Sequence, residues 1–142
     1  MSTEINKQLT RRWFEEVWNQ KRSQSIDELI TPNAIVHGVS AGGSEPKTGS
    51  AAFRPFWEQF CGAFPDARIT IEDLIAEGDK VASRIVFTGT HQGNHLGSEA
   101  TGKTITVSGI VLTRWENGRI AEAWNEFDAL KVFLTTGVVK MA

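Results

Sequence analysis

The stretch TITVSGIVLTRWENGRIAEAWNEF, residues 104–127, decides the fold. Both halves are rich in β-branched and aromatic residues, and the letters ENG between them are a turn signal. The pattern predicts two long antiparallel strands, 104–115 and 119–127, joined as a hairpin. Two similar stretches precede the hairpin at 67–79 and 80–91, so the second half of the chain is predicted to be a β-meander.

The register of the hairpin depends on the length of its turn. A three-residue turn with a glycine bulge pairs Val111 with Ala123 and Gly109 with Asn125. A two-residue turn shifts the pairing by one residue and places Ile110 opposite Asn125. We favour the first register, because it gives a face of small residues that ends in one amide, as the wall of a pocket requires.

The face opposite Asn125 carries Trp124, because successive side chains of a strand point to opposite sides of the sheet. A large aromatic residue on the outer face of a sheet suggests that this surface is covered. The simplest cover is a second copy of the chain, so we expect a homodimer.

Three helices are predicted before the meander and one after it. An apolar stripe with a four-residue repeat predicts a helix over 3–19, and Ser25 with Glu28 three residues later is typical of a second helix with Ser25 as its N-cap. The last helix is predicted to follow Asp128 and to end at Gly137. The third helix is predicted from aromatic residues at helical spacing, which are Phe53, Phe56, Trp57 and Phe60.

The order of these elements indicates an α+β protein. A short strand, 34–39, separates the second and third helices, and the β-meander follows the third. The chain of 142 residues shows no repeat and no linker, so we expect a single domain over residues 1–142.

The composition argues against several classes of function. The net charge of −2, without a basic stripe, does not fit a nucleic-acid-binding protein. The single cysteine, Cys61, cannot form an intramolecular disulfide, and its expected state is a buried, inert thiol. No window approaches the roughly 20 apolar residues of a membrane span, and the N-terminus has no apolar leader. We therefore expect a cytoplasmic protein without nucleic-acid or membrane partners.

Six short stretches, taken together and in order, resemble the SnoaL-like polyketide cyclases, or ester cyclases, of the nuclear-transport-factor-like fold group. No single stretch is specific, but together they cover nearly the whole chain. They are VHG (36–38), FPD (64–66), EGDKVASR (77–84), FTGTHQG (87–93), ATGKTITVSGI (100–110) and GRIAEAWNEFD (118–128).

The resemblance implies a cone-shaped α+β barrel, in which a curved, mostly antiparallel sheet wraps around N-terminal helices and encloses a deep apolar pocket. It also implies a hydrophobic small-molecule ligand, ring closure by intramolecular aldol condensation, and neither cofactor nor metal. The three histidines of the chain agree with the last point, because their spacing matches no pattern of metal ligands.

The resemblance also directs attention to Asn125. In the cyclases a carboxylate near the end of the last strand is the general acid/base, and Asn125 stands at that place, counted from the turn glycine Gly118. A neutral amide cannot accept a proton near pH 7, but it can donate a hydrogen bond to an oxyanion or hold a water. Asp128 is a second catalytic candidate, although capping the last helix is its ordinary structural role.

With an amide at position 125, a histidine is the best remaining base, because its ordinary pKa suits proton transfer near neutrality. His37 in the first strand and His91 at the end of the FTGTH stretch are the candidates, and either could instead be held by a backbone partner. His95 lies in a glycine-rich segment and is expected to be solvated.

Four apolar residues are predicted to contact the substrate. The aromatic stripe of the third helix is core by default, but one or two of its members can also form the floor of a pocket for a flat ligand. Two glycine-rich segments, 40–46 and 91–102, are the candidate loops at the mouth of that pocket. The predicted substrate-binding residues are Trp57, Phe60, Phe87 and Val111.

The leading hypothesis is a cofactor-free cyclase or isomerase of a hydrophobic carbonyl compound, with His37 or His91 as the base and Asn125 at the oxyanion. Two alternatives remain open. One is an epoxide hydrolase or hydroxylase on the same fold, and the other is a non-catalytic module that binds a small ligand. The resemblance implies an acid at position 125 in the epoxide hydrolases as well, so Asn125 counts against them equally. An Asn125→Asp variant tests the carrier, because gained activity would indicate a cyclase scaffold and retained binding without turnover would favour a binding module.

Overall fold

The computed structural model describes residues 2–39 and 47–141. In these residues no helix is long and apolar enough to cross a membrane. The first half contains helix α1 (Thr3–Trp13), a π-helix (Phe14–Asn19), helix α2 (Ser23–Leu29), strand β1 (Ile30–His37) and helix α3 (Gly49–Ala63). The second half contains β2 (Arg68–Glu77), β3 (Lys80–Thr90), β4 (Thr104–Glu116), β5 (Arg119–Phe127) and α4 (Ala129–Thr136).

The five described strands form one mixed sheet in the order β1-β5-β4-β3-β2. Strand β1 runs parallel to β5, and the other neighbours are antiparallel. The expected α+β class and the mostly antiparallel sheet are confirmed. The sheet stays open, however, so the described strands form a curved wall and not a closed barrel.

The core lies between one face of this sheet and the N-terminal helices. Strand β3 shows why, because its residues alternate between buried and more exposed along most of the strand, as expected when one face packs against helices. Helices α1 and α3 meet over that face through Trp13 and Phe53, whose ring centroids are 4.9 Å apart. The aromatic stripes seen in the sequence therefore point into one common core.

The predicted helix over 3–19 is confirmed in extent, but its last third is a π-helix. The N–H of Gln20 bonds to the carbonyl of Glu15, five residues back, at 2.8 Å. The carbonyl of Val17 instead accepts a hydrogen bond from Nε1 of Trp57 at 2.8 Å. The indole of Trp57 thus donates to a carbonyl of the widened turn. Without this bond, that carbonyl would be buried and would lack it.

The predicted start of the second helix is wrong. Helix α2 begins at Ser23 after Arg22, so Ser25 lies inside the helix and does not cap it. The hydroxyl of Ser25 donates to a carboxylate oxygen of Glu16 at 2.6 Å and ties α2 to the π-helix. A charged partner from another element therefore outweighs the local capping pattern.

Both predicted registers of the hairpin are wrong, although the predicted face is right. Val111 pairs with Asn125, two residues away from the favoured register. The turn is the two-residue Asn117-Gly118, with φ of 50° and 81°, and a bulge near Arg114 absorbs one extra residue of β5. The bulge restores the parity that the short turn would have changed, so Asn125 still faces the helices.

Helix α4 follows the sequence expectation at both ends. Asp128 is its N-cap and accepts a hydrogen bond from the N–H of Lys131 at 3.0 Å. Gly137 ends the helix in the left-handed conformation with φ of 79°, which glycine adopts without strain.

Candidate functional site

A pocket opens between the inner face of the sheet and the aromatic side chains of α1, the π-helix and α3. It encloses about 570 Å³ of space between atoms, with open solvent at its mouth included. The pocket is lined by Trp13, Phe14, Trp18, Phe56, Phe60, Ile69, Ile85, Phe87, Val107, Ser108, Gly109, Val111, Asn125, Glu126 and Phe127.

Aromatic rings in edge-to-face contact form most of the wall. The ring of Trp18 lies 6.1 Å from Phe56 and 6.0 Å from Phe87, at interplanar angles of 84° and 89°. Phe60 meets Phe127 in the same way at 5.7 Å. Such contacts place the positive edge of one ring on the negative face of the next and hold the rings in fixed orientations. The wall therefore suits a flat, apolar ligand.

Asn125 is the polar side chain of the inner wall. Its Nδ2 donates a hydrogen bond to the main-chain carbonyl of His37 at 2.9 Å. Because the carbonyl is an acceptor, this bond fixes which end of the amide carries the nitrogen. The second N–H of Nδ2 and the acceptor Oδ1 take no part in this bond. Gly38 makes the contact possible, since a Cβ there would overlap the main-chain oxygen of Asn125.

Glu126 is the only ionisable residue in the pocket lining of the described chain. It pairs with Ile110, whose side chain is 52% exposed on the outer face of the sheet. By strand alternation the carboxylate of Glu126 shares that outer face, so the residue reaches the pocket only at its rim. The interior of the pocket thus offers hydrogen bonds but no acid or base.

His37, predicted as a base, lies outside the pocket. It pairs with Trp124 in the parallel β1–β5 ladder and so shares the outer face of the sheet. Its Nε2 is 2.8 Å from Oε2 of Glu122, and its ring stacks on Trp124 at 5.4 Å and 17°. The geometry places the imidazole on the wrong side of the sheet for a ligand in this pocket.

His91, the other predicted base, is fully buried but does not line the pocket. The N–H of Thr101 donates to its Nδ1 at 3.2 Å, so Nδ1 is an acceptor and the proton of the neutral ring sits on Nε2. Nε2 finds no hydrogen-bond partner among the described residues. His91 therefore anchors the segment that follows β3 and has no path to a ligand.

Asp128 also does not line the pocket, because its carboxylate is occupied as the cap of α4. His95 is exposed, as expected. The segment 91–102 packs away from the pocket, where Gln92 donates to the carbonyl of Ala63 at 2.9 Å, so this predicted mouth loop is wrong. The other predicted mouth loop, 40–46, lies outside the described residues.

Three of the four predicted substrate-binding residues line the pocket, namely Phe60, Phe87 and Val111. Trp57 does not, because its indole is directed to the carbonyl of Val17. The aromatic residues of the first helix were missed, since their stripe was used only to predict a helix. Their density around positions 13–18 was the available signal. The missed lining residues with aromatic rings are Trp13, Phe14, Trp18, Phe56 and Phe127.

Burial raises the pKa of the Cys61 thiol to about 11, so this cysteine is protonated and unreactive near neutral pH. No three His, Cys, Asp or Glu side chains within residues 2–39 and 47–141 come together as a set of metal ligands.

An open α+β sheet with an apolar pocket against its helices is an architecture in which small-molecule sites are often found. A family model agrees with this fold over most of the chain. The chain belongs to the SnoaL-like polyketide cyclase family, whose model matches residues 8–134. No curated protein matches the chain.

Solved structures resemble the chain over nearly its whole length. A proposed polyketide cyclase from Acidithiobacillus ferrooxidans has a TM-score of 0.81 and 25% identity, covering 99% of this chain and 100% of that one. IdmH, a proposed polyketide cyclase from Streptomyces antibioticus, gives 0.79 and 28%, covering 94% and 99%. AclR, a proposed hydroxylase from Streptomyces galilaeus, gives 0.82 and 24%, covering 99% and 86%, and at this identity the likeness shows the fold alone.

Proposed function

We propose that the protein binds a neutral, hydrophobic carbonyl compound of the polyketide type and promotes its enolisation and ring closure without a cofactor. The observation that carries the proposal is the amide of Asn125, fixed at 2.9 Å from the His37 carbonyl in a wall made mainly of aromatic and aliphatic side chains. A ligand carbonyl that enters this pocket finds one preoriented hydrogen-bond donor, which is the remaining N–H of Asn125.

The chemistry assigned to Asn125 is stabilisation of the enolate oxygen. A hydrogen bond from a fixed donor is stronger in an apolar site than in water, so it favours the form of the substrate with more charge on oxygen. In this mechanism neither His37 nor His91 is the base. A carbon between two carbonyl groups is acidic, so a hydroxide ion from the solvent can take its proton at the pocket mouth and become water. The carbanion then attacks a second carbonyl of the same molecule, and that oxygen takes a proton from water.

A second candidate function is binding without turnover, as in a carrier. The absence of an ionisable side chain from the interior of the described pocket favours it. The two candidates share one ligand class and differ only in whether the bound compound exchanges its proton.

Deuterium exchange at the central carbon of a naphthyl-substituted β-diketone, followed by NMR, separates the candidates. We expect the wild-type protein to accelerate exchange. Asn125→Leu, which keeps the size but removes the donor, should lower the exchange rate about a hundredfold while the diketone still binds. Phe133→Leu, outside the pocket lining, is the control.

The outcomes are distinct. Binding of the diketone with exchange at the solvent rate would reject the cyclase-type proposal and leave the carrier. No binding of any neutral aryl ketone would reject both.

A further inference from the structure

A groove outside the ligand pocket follows the free edge of the sheet. Strand β2 is the last of the five described strands in the sheet order, so one of its edges has no strand beside it. Residues 68–71 of β2 form one wall of the groove, and Arg11, Phe14 and Asn19 lie on the other. Of the lining residues, Phe14 and Ile69 also line the ligand pocket, whereas the polar ones face only the groove.

The side chain of Asn19 closes one end of this edge. Its Oδ1 accepts a hydrogen bond from the N–H of Ile69 at 2.7 Å, and its Nδ2 donates to the Ile69 carbonyl at 3.0 Å. A residue of a neighbouring antiparallel strand would make the same pair of bonds. Nδ2 also donates to Oε2 of Glu15 at 3.0 Å, which holds the amide in place. A segment that pairs with β2 from the side of Ile71 must therefore stop before Ile69.

The next main-chain groups that point to this edge are those of Ile71. Along an antiparallel strand every second residue turns its N–H and C=O to the same side, and Ile71 lies two residues after Ile69. Within residues 2–39 and 47–141, no helix, loop or side chain forms a hydrogen bond with these groups. The pairing of β2 with β3 then shifts between Ile71 and Asp73, and such a bulge discourages further pairing at an edge. The edge thus offers Ile71 for pairing with another chain.

Two arginines give the groove a positive charge. Arg11 lies on the helical wall and Arg68 on the strand, and both residues are exposed. Neither takes part in the ion pairs formed within the described part of the chain. Glu15 is the acidic residue of the groove, and its carboxylate already accepts the hydrogen bond from Asn19. One positive charge therefore remains in excess, which favours a carboxylate as the ligand.

We propose that this groove binds the C-terminal end of an extended peptide from a partner protein. The peptide runs antiparallel to β2, and its penultimate residue exchanges both main-chain hydrogen bonds with Ile71. Its terminal carboxylate then lies beside Asn19, in the part of the groove that Arg11 and Arg68 make positive. Directly opposite residues of an antiparallel pair share a face, so the penultimate side chain points with Ile71 towards Phe14 and should be apolar. The proposal does not depend on the proposed function, because none of these contacts involves a ligand in the pocket.

The test is an NMR titration of the isotope-labelled wild-type chain, with the amide signal of Ile71 as the readout. The probe is the peptide acetyl-Gly-Ser-Leu-Ala with a free carboxylate, and we expect a Kd of roughly 0.1–1 mM. The same peptide with a C-terminal amide should bind about tenfold more weakly, because it lacks the charge. N-methylation of its Leu removes the donor to Ile71 and should weaken binding about fivefold. N-methylation of its Ser, whose N–H points away from β2, is the control and should change little.

Variants of exposed basic residues test where the carboxylate binds. Arg11→Gln and Arg68→Gln should each weaken binding of the free acid about fourfold and leave binding of the amide peptide unchanged, so the preference for the acid falls. Lys80→Gln removes the same charge from an exposed residue that does not line the groove, and it should keep the full preference. Circular dichroism shows whether each variant is folded.

Several outcomes would overturn the proposal. Equal affinities of the acid and amide peptides would do so, and so would an Ile71 signal that stays in place at millimolar peptide. A third probe, acetyl-Gly-Asp-Leu-Ala with a C-terminal amide, carries its carboxylate on a side chain. If it binds as tightly as the free acid, the groove recognises an acidic side chain and the C-terminal site is rejected. Loss of the preference in Lys80→Gln would assign it to the overall charge of the protein and not to the two arginines.

Discussion

The two faces of strand β5 have opposite chemistry. On the inner face, Ala123 and Asn125 line apolar cavities and carry no charge. On the outer face, Glu122 meets Arg114 at 3.6 Å and His37 at 2.8 Å, and Trp124 stacks on His37. Charges are costly in an apolar interior and cheap at a wet surface. Strand β5 thus carries its titratable groups on the outer face and only a neutral amide on the face where a ligand would lie.

The largest difference in stability is expected between two tryptophan variants, one on the inner side of the sheet and one on its outer face. Trp18→Ala removes a buried ring that contacts three phenylalanines, so the free energy of unfolding should fall by about 3–5 kcal/mol. Trp124→Ala, on the outer face, should cost only about 1 kcal/mol. Urea unfolding, at a dilution where sedimentation shows monomer, measures both losses. Equal losses would mean that the two faces are packed alike.

Placing a charge on the inner face should make stability depend on pH. In Asn125→Asp, a carboxylate oxygen would face the His37 carbonyl that the amide now approaches at 2.9 Å, and two acceptors repel. We expect the pKa of the introduced Asp to rise above its unfolded value of about 3.9. The stability of the variant relative to wild type should then be highest below about pH 4 and fall as pH rises through the raised pKa.

The size of this effect at neutral pH should be about 1–3 kcal/mol, the usual cost of an unsatisfied buried polar group. Unfolding midpoints measured between about pH 3 and about pH 8 give the difference curve. Asn94→Asp, the same change at an exposed turn, is the control and should give a nearly flat curve. A flat curve for Asn125→Asp would show that water reaches the carboxylate.

The outer face should also be where two copies of the chain meet. We propose a homodimer over this face, because Ile110 at 52% exposure adjoins the Trp124 and His37 stack. Ile110→Lys should weaken dimerisation at least about tenfold, since a charge would be buried in an apolar contact. Light scattering with size exclusion measures it. Ile75→Lys, at 69% exposure on the far strand β2, is the control. A wild-type monomer at micromolar concentration rejects the dimer.

The smallest change in the free energy of unfolding is expected for the pair of Glu122 and His37 on the outer face. Glu122→Gln removes the charge beside His37 but leaves a group that can still form a hydrogen bond. Ion pairs at the surface contribute roughly 0–1 kcal/mol, so the free energy of unfolding should fall by no more than that. A loss above about 2 kcal/mol, measured in urea with Glu116→Gln as the exposed control, would mean that the outer pair is a structural element of the sheet.

The sequence predicted the parts of the site that depend on local pattern. Strand alternation correctly placed Asn125 on the inner face and Trp124 on the outer one. The register failed because the bulge near Arg114 depends on how β5 meets both of its neighbours. His37 was misplaced because the face of β1 is set by its parallel pairing with β5, about 85 residues away in the chain.

Helix α1 shows another limit of the sequence. The apolar stripe of 3–19 predicted a helix, and a helix is there, but the pattern of apolar residues cannot distinguish an α-turn from a π-turn over six residues. In the structure Trp57 bonds to the Val17 carbonyl of the widened turn and Ser25 to the side chain of Glu16, both from other elements. The repeat of apolar residues along the helix carries no information about such long-range partners.

The π-helix makes the pocket wall tolerant of a change in chain length at one place. Its turn encloses one residue more than an α-helical turn. Loss of a single residue between positions 14 and 19 would let the segment close as an α-helix. Trp13 and Trp18 would keep nearly the same angle around the helix axis, because the wider turn spreads one more residue over about the same rotation. Relatives that are one residue shorter here are therefore expected to keep the same aromatic wall.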